Sequence, residues 1–370
     1  MTKTPTVYDV AQRAGVSIAT VSRVLRRPDD VREQTRAVVH AAIRELGYVP
    51  SASARGLAAR HTGVLGLCFP DVDGIDDVAD LPAPVAVGAQ VEVVPDHTPS
   101  PGSRWTNLYI AEVMRGAELE AWRHALAVMI SVPRGPQREQ LVSDLAGRVD
   151  GLAVLAATIP DDVLARIARR IPVVVMAGPP RDDGLDHIGV DNAAGVRAVV
   201  DHLVRDHGYT DLAFVGGPDA SPDARDRFAA FRAALAANGL PAPEAPLLAG
   251  DFTRTTARTL AAGLVRDHRA TGRPLPRALV CGNDQTALGV LDVLHDAGVD
   301  VPGTVALTGF DGIDATQVSV PRLTTVSQPM LDLGRAAVEL LRRRITDRTT
   351  PTSAVNLPVR VLLRESCGCR

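Results

Sequence analysis

The feature that most limits how this chain can fold is an alternation that begins at Gly63. Short apolar runs recur, each followed by an amphipathic stretch of helical period. Val64-Leu65-Gly66-Leu67-Cys68-Phe69, Gly151-Leu152-Ala153-Val154-Leu155, Pro172-Val173-Val174-Val175-Met176 and Ala278-Leu279-Val280-Cys281 are apolar without a polar face, as parallel strands buried on both sides must be. The helical stretches fall around 109–124, 192–206, 223–238, 254–268, 284–297 and 330–346. Strands alternating with helices predict a doubly wound α/β core, in which ligands bind beyond the carboxyl ends of the strands.

A chain of 370 residues exceeds one compact core, so more than one folding unit is expected. No run of about eighteen apolar residues occurs and the N-terminus lacks a leader pattern, so a cytoplasmic location is expected. Four cysteines are too few for a disulfide framework; Cys68 and Cys281 lie in strand-like runs and read as reduced, buried thiols. Cys367-Gly368-Cys369 is not the redox CxxC spacing, and no third or fourth ligand is close to it in sequence, so neither a metal nor a cofactor is expected.

The net charge of −3 argues against a nucleic-acid binder until the chain is divided. Residues 1–62 carry ten Lys/Arg against five Asp/Glu, a net of +5, and the remainder carries 30 against 38. A small basic module on an acidic body is the pattern of a protein that meets phosphates at one end.

Within that module Thr6-Val7-Tyr8-Asp9 is a capped helix start, and Val7, Val10, Ala11 and Ala14 share one face. Gly15 permits a sharp turn and Ser17 caps a second helix, Ile18 to Leu25, with Val21, Val24 and Leu25 inward. A third helix, about Arg32 to Leu46, is expected to bury Val38, Val39, Ala42, Ile43 and Leu46 before Gly47 stops it. Two short helices across a glycine turn make a helix-turn-helix.

The string Tyr8-Asp9-Val10-Ala11, Ala14-Gly15-Val16-Ser17, Thr20-Val21-Ser22-Arg23-Val24-Leu25 resembles the headpiece of the lactose-repressor (LacI/GalR) family. The resemblance implies a DNA-binding transcriptional regulator, a repressor whose headpiece spans residues 1–49. Its second helix would lie in the major groove of double-stranded DNA, with Thr6, Ser17, Ile18, Ala19, Thr20, Ser22 and Arg23 toward the duplex. Arg23 offers the donor fork that suits guanine O6 and N7, against the plainer reading of a solvated surface charge; Thr20 and Ser22 suit phosphate. Ile18 and Ala19 are apolar at the family's specificity positions, which leaves the operator open.

Residues 50–62 resemble the family's hinge helix, which folds on DNA and wedges a leucine into the minor groove; Leu57 holds that place with Ala54 beside it. The plainer reading is an Ala-rich linker. Gly56 departs from the bulkier residues usual there and raises the cost of ordering the helix by about 1 kcal/mol.

The resemblance continues through residues 63–370 and implies two subdomains of the periplasmic-binding type, joined by three crossovers around a ligand cleft. The first would hold about 63–191 and a return segment 322–345, the second about 192–321 and the C-terminal strands, with Val359 to Arg364 extended. The resemblance also implies an effector set of Tyr109, Arg227, Phe252, Asn283 and Asp311. Amide and carboxylate suit hydroxyls that both donate and accept, and Phe252 would stack on the ligand. Other roles stay open: Asp284 as a helix cap, Arg227 as a surface ion pair, Phe252 as core. Two departures bear on the ligand. Ala177-Gly178 stands where many members carry an acidic residue, and Asp71 to Trp105 is a long acidic and Pro/Gly-rich insertion, expected to form a lid or altered pocket.

An enzyme would need a nucleophile with its base or a metal set, yet there is no Gly-x-Ser-x-Gly, no Walker loop and no His/Cys cluster, the nine histidines being scattered. A solute-binding protein would share the core but carry an export signal and no basic headpiece. The expected protein is a homodimer on a near-palindromic operator, since one headpiece contacts too few bases. No tetramerising heptad helix follows Leu357. A sugar or sugar derivative is the expected effector, with a nucleobase or nucleoside as the alternative, and its binding would shift the DNA-competent population.

Overall fold

The computed structural model describes residues 5–49, 61–71, 88 and 108–370, and the chain divides into two units at Gly63. The hinge positions Ala54 and Leu57 and the insertion after Asp71 lie outside the described residues.

In the first unit Thr6 caps α1 (Val7–Ala14) in a reciprocal box: its N–H donates to the Asp9 carboxylate at 2.7 Å and its hydroxyl accepts the Asp9 N–H. Gly15, at φ 66°, ends the helix, and the Ser17 hydroxyl accepts the Thr20 N–H at 3.1 Å to start α2 (Ile18–Arg26). α3 (Glu33–Leu46) stops at Gly47 in the left-handed conformation. Val10, Val21, Val24, Val39 and Ala42 are buried together, with Val7, Ala14, Leu25, Ile43 and Leu46 packed around them. Val38, expected in this core, is 45% exposed. The inward stripe is Val39, Ala42, Ile43 and Leu46, and Val38 sits roughly 100° round the helix from Val39. Arg13 closes the outside of the bundle by pairing with Glu45 at 2.7 Å.

The second unit begins as β1 (Val64–Cys68), α4 (Leu108–Arg123), β2 (Ala127–Ser131), α5 (Arg138–Ala146), β3 (Gly151–Leu155), α6 (Asp161–Ala168), β4 (Val173–Met176) and β5 (Asp186–Val190). It crosses to α7 (Asn192–Arg205), β6 (Leu212–Gly216), α8 (Pro222–Ala237), β7 (Leu248–Ala249), α9 (Arg254–Thr271), β8 (Ala278–Cys281), α10 (Asp284–Asp296), β9 (Ala306–Asp311), α11 (Ala315–Val318) and β10 (Thr324–Ser327). α12 (Met330–Thr346) and β11 (Ala354–Leu357) return to the first sheet, and β12 (Arg360–Leu362) to the second.

The strands form two six-stranded sheets, ordered β11-β5-β4-β3-β1-β2 and β12-β10-β9-β8-β6-β7. Every pairing is parallel except β12 on β10. Parallel neighbours need helical crossovers, which is why both faces of each sheet are covered and its strands read as unbroken apolar runs. The chain passes between the sheets three times, as the resemblance implies. In each sheet the strand order reverses beside one strand, β1 in the first and β6 in the second, and such reversals open a crevice at the carboxyl ends.

The return segment differs from the expectation at its start. Thr324–Ser327 pairs with β9 in the second sheet, and only from Met330 does the chain pack on the first. The C-terminal strands are likewise divided, β11 joining the first sheet and β12 the second, because each extends an open edge. α4 and α12 cross so closely that a Cβ on Gly116 would lie 2.0 Å from the Leu331 carbonyl oxygen, and one on Gly334 2.0 Å from that of Val113. Among the described residues no helix is long and apolar enough to cross a membrane.

Candidate effector cavity and DNA-facing helix

Between the carboxyl ends of the two sheets lies a cavity of about 410 Å³, a size that suits a small metabolite. It is lined by residues just past strands of both sheets: Pro70 and Asp71 after β1, Ala156 and Ala157 after β3, Ala177 and Gly178 after β4, Pro218 to Asp223 after β6, Phe252 after β7, and Asn283 after β8. Asp311 ends β9, Gln328 follows β10, and the first turn of α4 adds Tyr109 and Ile110. Tyr109, Arg227, Phe252, Asn283 and Asp311, five residues spread over some two hundred positions of sequence, all line this one cavity.

Their chemistry differs in how much is already committed. Arg227 is 3% exposed, so it is no surface charge: Nε donates to the Asn192 side-chain Oδ1 at 2.8 Å, Nη1 to the Gly282 backbone carbonyl at 2.8 Å, and the guanidinium stacks on Phe310 at 3.8 Å. Asp223 and Asp311 flank it at 3.6 and 3.7 Å. Asn283, rather than Asp284, caps α10; its oxygen accepts the Thr286 N–H at 2.9 Å and its amide donates to the Phe252 carbonyl at 3.1 Å. Asp284 instead lies fully buried beneath the floor, accepting the Gly312 and Ile313 N–H groups at 2.6 and 2.9 Å and the Thr325 hydroxyl at 2.6 Å. It thereby holds the turn that aims Asp311.

Asp311 accepts from the Gln328 amide at 2.6 Å. Burial pushes its carboxyl up to about 8, the Arg227 guanidinium opposing and the Asp284 charge adding to the rise. Burial raises Asp284 as well, to about 6. The Tyr109 hydroxyl is buried with no hydrogen-bond partner among the described residues, and burial beside Asp223 and Asp311 holds its proton on firmly. An orphaned hydroxyl aimed at a cavity is a donor waiting for an acceptor.

The cavity is also where backbone strain collects. Of the five described non-glycine residues with positive φ, Ala157 (63°), Ala177 (61°), Phe252 (68°) and Asp311 (131°) line it; only Ala125 is elsewhere. Each such residue costs about 1–3 kcal/mol, a cost met where surrounding packing dictates the conformation and function requires it. The Phe252 ring lies flat over two glycines: a Cβ on Gly217 would fall 2.2 Å from it and one on Gly282 3.1 Å. Phe252 is therefore a wall of the cavity, not core.

Asn192, Asp223 and Gln328 escaped sequence reasoning. Asp223 accepts from the Gly178 N–H and the Asn192 amide, both at 2.9 Å, so one carboxylate ties the first sheet's loop to the second sheet's helices. The signal that could have found it is its spacing, four residues before Arg227 on the same helix face.

On the headpiece, Ile18, Ala19 and Arg23 are exposed along α2, and the Arg23 guanidinium has no partner among the described residues. Thr20 is half-buried with its hydroxyl 2.9 Å from that of Ser17, Ser22 is half-buried, and Thr6 is engaged in its capping box. The Cys367-Gly368-Cys369 tail, isolated in sequence, lies against His202 and His207, so these two histidines are not scattered from it.

A headpiece of helix-turn-helix form ahead of a two-sheet core with a cleft defines a ligand-responsive DNA-binding regulator. Residues 6–51 match the family of bacterial regulatory proteins, lacI family, and residues 200–367 the periplasmic binding protein-like domain. The chain is 30% identical to the HTH-type transcriptional repressor PurR of Vibrio parahaemolyticus over 98% of both chains. It is 29% identical to catabolite control protein A of Priestia megaterium, again over 98% of both, and 30% identical to the ribose operon repressor of Escherichia coli over 95% of this chain and 96% of that one. The lac repressor dimer bound to operator and an anti-inducer shares the fold, with a TM-score of 0.76 at 23% identity over 99% of both chains. The transcriptional regulator CelR in its cellobiose complex superposes with a TM-score of 0.67 at 26% identity, over 98% of this chain and 99% of that one. The chain belongs to the LacI family of bacterial transcriptional regulators, and members of that family are regulators rather than enzymes.

Proposed function

We propose that this regulator is a cytoplasmic homodimeric repressor whose operator affinity is set by a sugar or sugar derivative held in the cavity between the two sheets. The observation that carries the reading is the convergence of Tyr109, Asn283 and Asp311 on one 410 Å³ space walled by Phe252. A phenol with no partner among the described residues, a carboxyl that is protonated near neutrality and an amide together supply donors and acceptors for several hydroxyls, and an aromatic face suits the C–H face of a pyranose. The cellobiose-bound and ribose-related relatives are in keeping with this. A nucleobase or nucleoside stacked on Phe252 is the second reading, favoured by the same ring.

On the DNA side Arg23, exposed on α2 with no partner among the described residues, reads a base edge, while Ile18 and Ala19 meet thymine methyls; Ser17, Thr20, Ser22 and Thr6 lie nearer the backbone. Leu57, with Ala54, wedges the minor groove.

A thermal-shift screen of the full-length protein against pentoses, hexoses, disaccharides, nucleobases and nucleosides tests the effector. A rise in Tm with a sugar that is absent in Asp311→Asn supports the first reading; a rise with nucleosides alone replaces it with the second. For DNA, Arg23→Ala is expected to lose about 1–3 kcal/mol of operator affinity and to relax preference at one base pair, measured by fluorescence anisotropy on operator variants.

A further inference from the structure

Away from both sites, the C-terminal tail meets the end of α7. His202 Nε2 and His207 Nε2 are 3.1 Å apart, Cys369 Sγ is 3.3 Å from the first and 3.5 Å from the second, and Cys367 Sγ is 3.6 Å from His202 Nε2. All four donor atoms lie within 4.8 Å of one another. From metal–ligand bonds of roughly 2.05 Å to nitrogen and 2.3 Å to sulfur, a tetrahedral zinc ion would set its ligands about 3.3 Å apart for N···N and about 3.5 Å for N···S. The four separations given above lie close to those edges. We propose that His202, His207, Cys367 and Cys369 form a structural zinc site that clasps the C-terminus to α7 and to the entry of β6.

Three features show a built site rather than a chance gathering. The His202 Nδ1 is 2.7 Å from the Asp206 carboxylate, which fixes the proton there and leaves Nε2 as a bare lone pair facing the cluster. Two imidazole nitrogens and two sulfurs, the donor types of a structural zinc site, converge on one point from stretches of chain 165 residues apart. The tail itself is held in place. The Tyr209 hydroxyl donates to the Cys367 carbonyl at 3.2 Å, its ring stacks on His207 with centroids 5.2 Å apart, and Arg277 covers that ring at 4.0 Å.

The intervening glycine is required by the same geometry. Gly368 has φ 108°, and a Cβ there would lie 3.0 Å from the Tyr209 hydroxyl and 3.1 Å from His207 Cε1. A side chain would strain this backbone conformation and crowd the ring that faces it, so glycine suits the position. The other His/carboxylate group, Glu120, His124 and Glu339, carries no such inference, since Arg123, Arg335 and Arg342 already pair with its carboxylates. A closed set of four nitrogen and sulfur ligands with no open position is that of a structural ion.

The test uses untagged, full-length protein from zinc-supplemented cells, freed of loose metal by gel filtration. One zinc per chain by plasma mass spectrometry is expected, falling to none in Cys369→Ser and in His207→Gln, with far-ultraviolet dichroism unchanged to show that both fold. Replacing zinc by cobalt should give the visible absorption of tetrahedral, thiolate-bound cobalt in the parent and not in Cys369→Ser. Asp206→Asn should bind about 10-fold or more weakly. Parent protein that holds no zinc and takes up no cobalt overturns the proposal. So does metal that persists in both variants, or a Cys367–Cys369 disulfide found in protein purified under reducing conditions.

Discussion

At the scale of single residues two groups that line the cavity owe their properties to burial. The Tyr109 hydroxyl is buried and has no hydrogen-bond partner among the described residues; a buried hydroxyl left so costs a folded protein about 1–3 kcal/mol relative to a satisfied one. Removing it should therefore help the fold and hurt the function: Tyr109→Phe is expected to raise the Tm of ligand-free protein slightly while weakening ligand affinity about tenfold, by isothermal titration. A variant that lost stability and kept its affinity would show that the phenol has another partner. Asp311 makes the second case. Its carboxyl is raised from an ordinary 3.8 to about 8, chiefly by burial, so between those values the native chain keeps a proton that the unfolded chain has released. Rising pH then favours unfolding, and this loss begins above pH 3.8 and is complete above about 8. Asp284 contributes the same sign only up to about 6. Urea midpoints of ligand-free protein are thus expected to fall from pH 6 to pH 8, and Asp311→Asn to flatten that decline.

At the scale of elements the tightest constraint is the crossing of α4 and α12, where Gly116 and Gly334 bring backbone against backbone. A methyl group there has nowhere to go, since the obstructing atoms are carbonyl oxygens rather than side-chain ends. Gly334→Ala should lower stability by about 1–3 kcal/mol through overpacking. Gly263→Ala on α9, whose added Cβ would meet only an Arg266 side-chain nitrogen at 3.8 Å, should raise it by up to about 1 kcal/mol through helix propensity. Chemical denaturation of the two variants, made alike in sequence terms, gives opposite signs if the crossing is as close as described.

The same elements show which parts of the fold can be read from sequence. β1, β3, β4 and β8 announce themselves as apolar runs, and α4, α8, α9 and α12 by their period, because burial on one or both faces imposes the pattern directly. β2 is an edge strand with a mostly exposed or half-buried face, and β5 carries buried Asp186 and His187, so neither pattern shows. Val38 misleads because apolar character does not by itself say which way a helix faces. In the cavity, Arg227, Asn283 and Asp311 are legible through family resemblance and their places after strands. Asn192, Asp223 and Gln328 are not, because their roles exist only through partners brought close by folding. The tail is the extreme instance: His202 and Cys367 are 165 residues apart in sequence, yet Cys367 Sγ lies 3.6 Å from His202 Nε2.

At the scale of the whole molecule the charge division has a consequence that net charge hides. Excess acid on the body repels phosphate, so operator binding is expected to come from the basic headpiece. Its strength should fall linearly with the logarithm of salt, by about 0.9 per phosphate neutralised. The cavity belongs to the other unit, so control of DNA by the effector requires a coupling free energy between two distinct sites. Such coupling is reciprocal: if effector changes operator affinity by some factor, typically about 5–150-fold, operator must change effector affinity by the same factor. Titrating effector into protein with and without a saturating operator duplex, at one salt concentration, measures one side of the cycle; titrating operator with and without effector measures the other. The two factors should agree, and their direction identifies the effector as inducer or corepressor. An effector that binds the cavity with one Kd whether or not operator is present would leave the site a passenger, and the repressor would answer to some other signal.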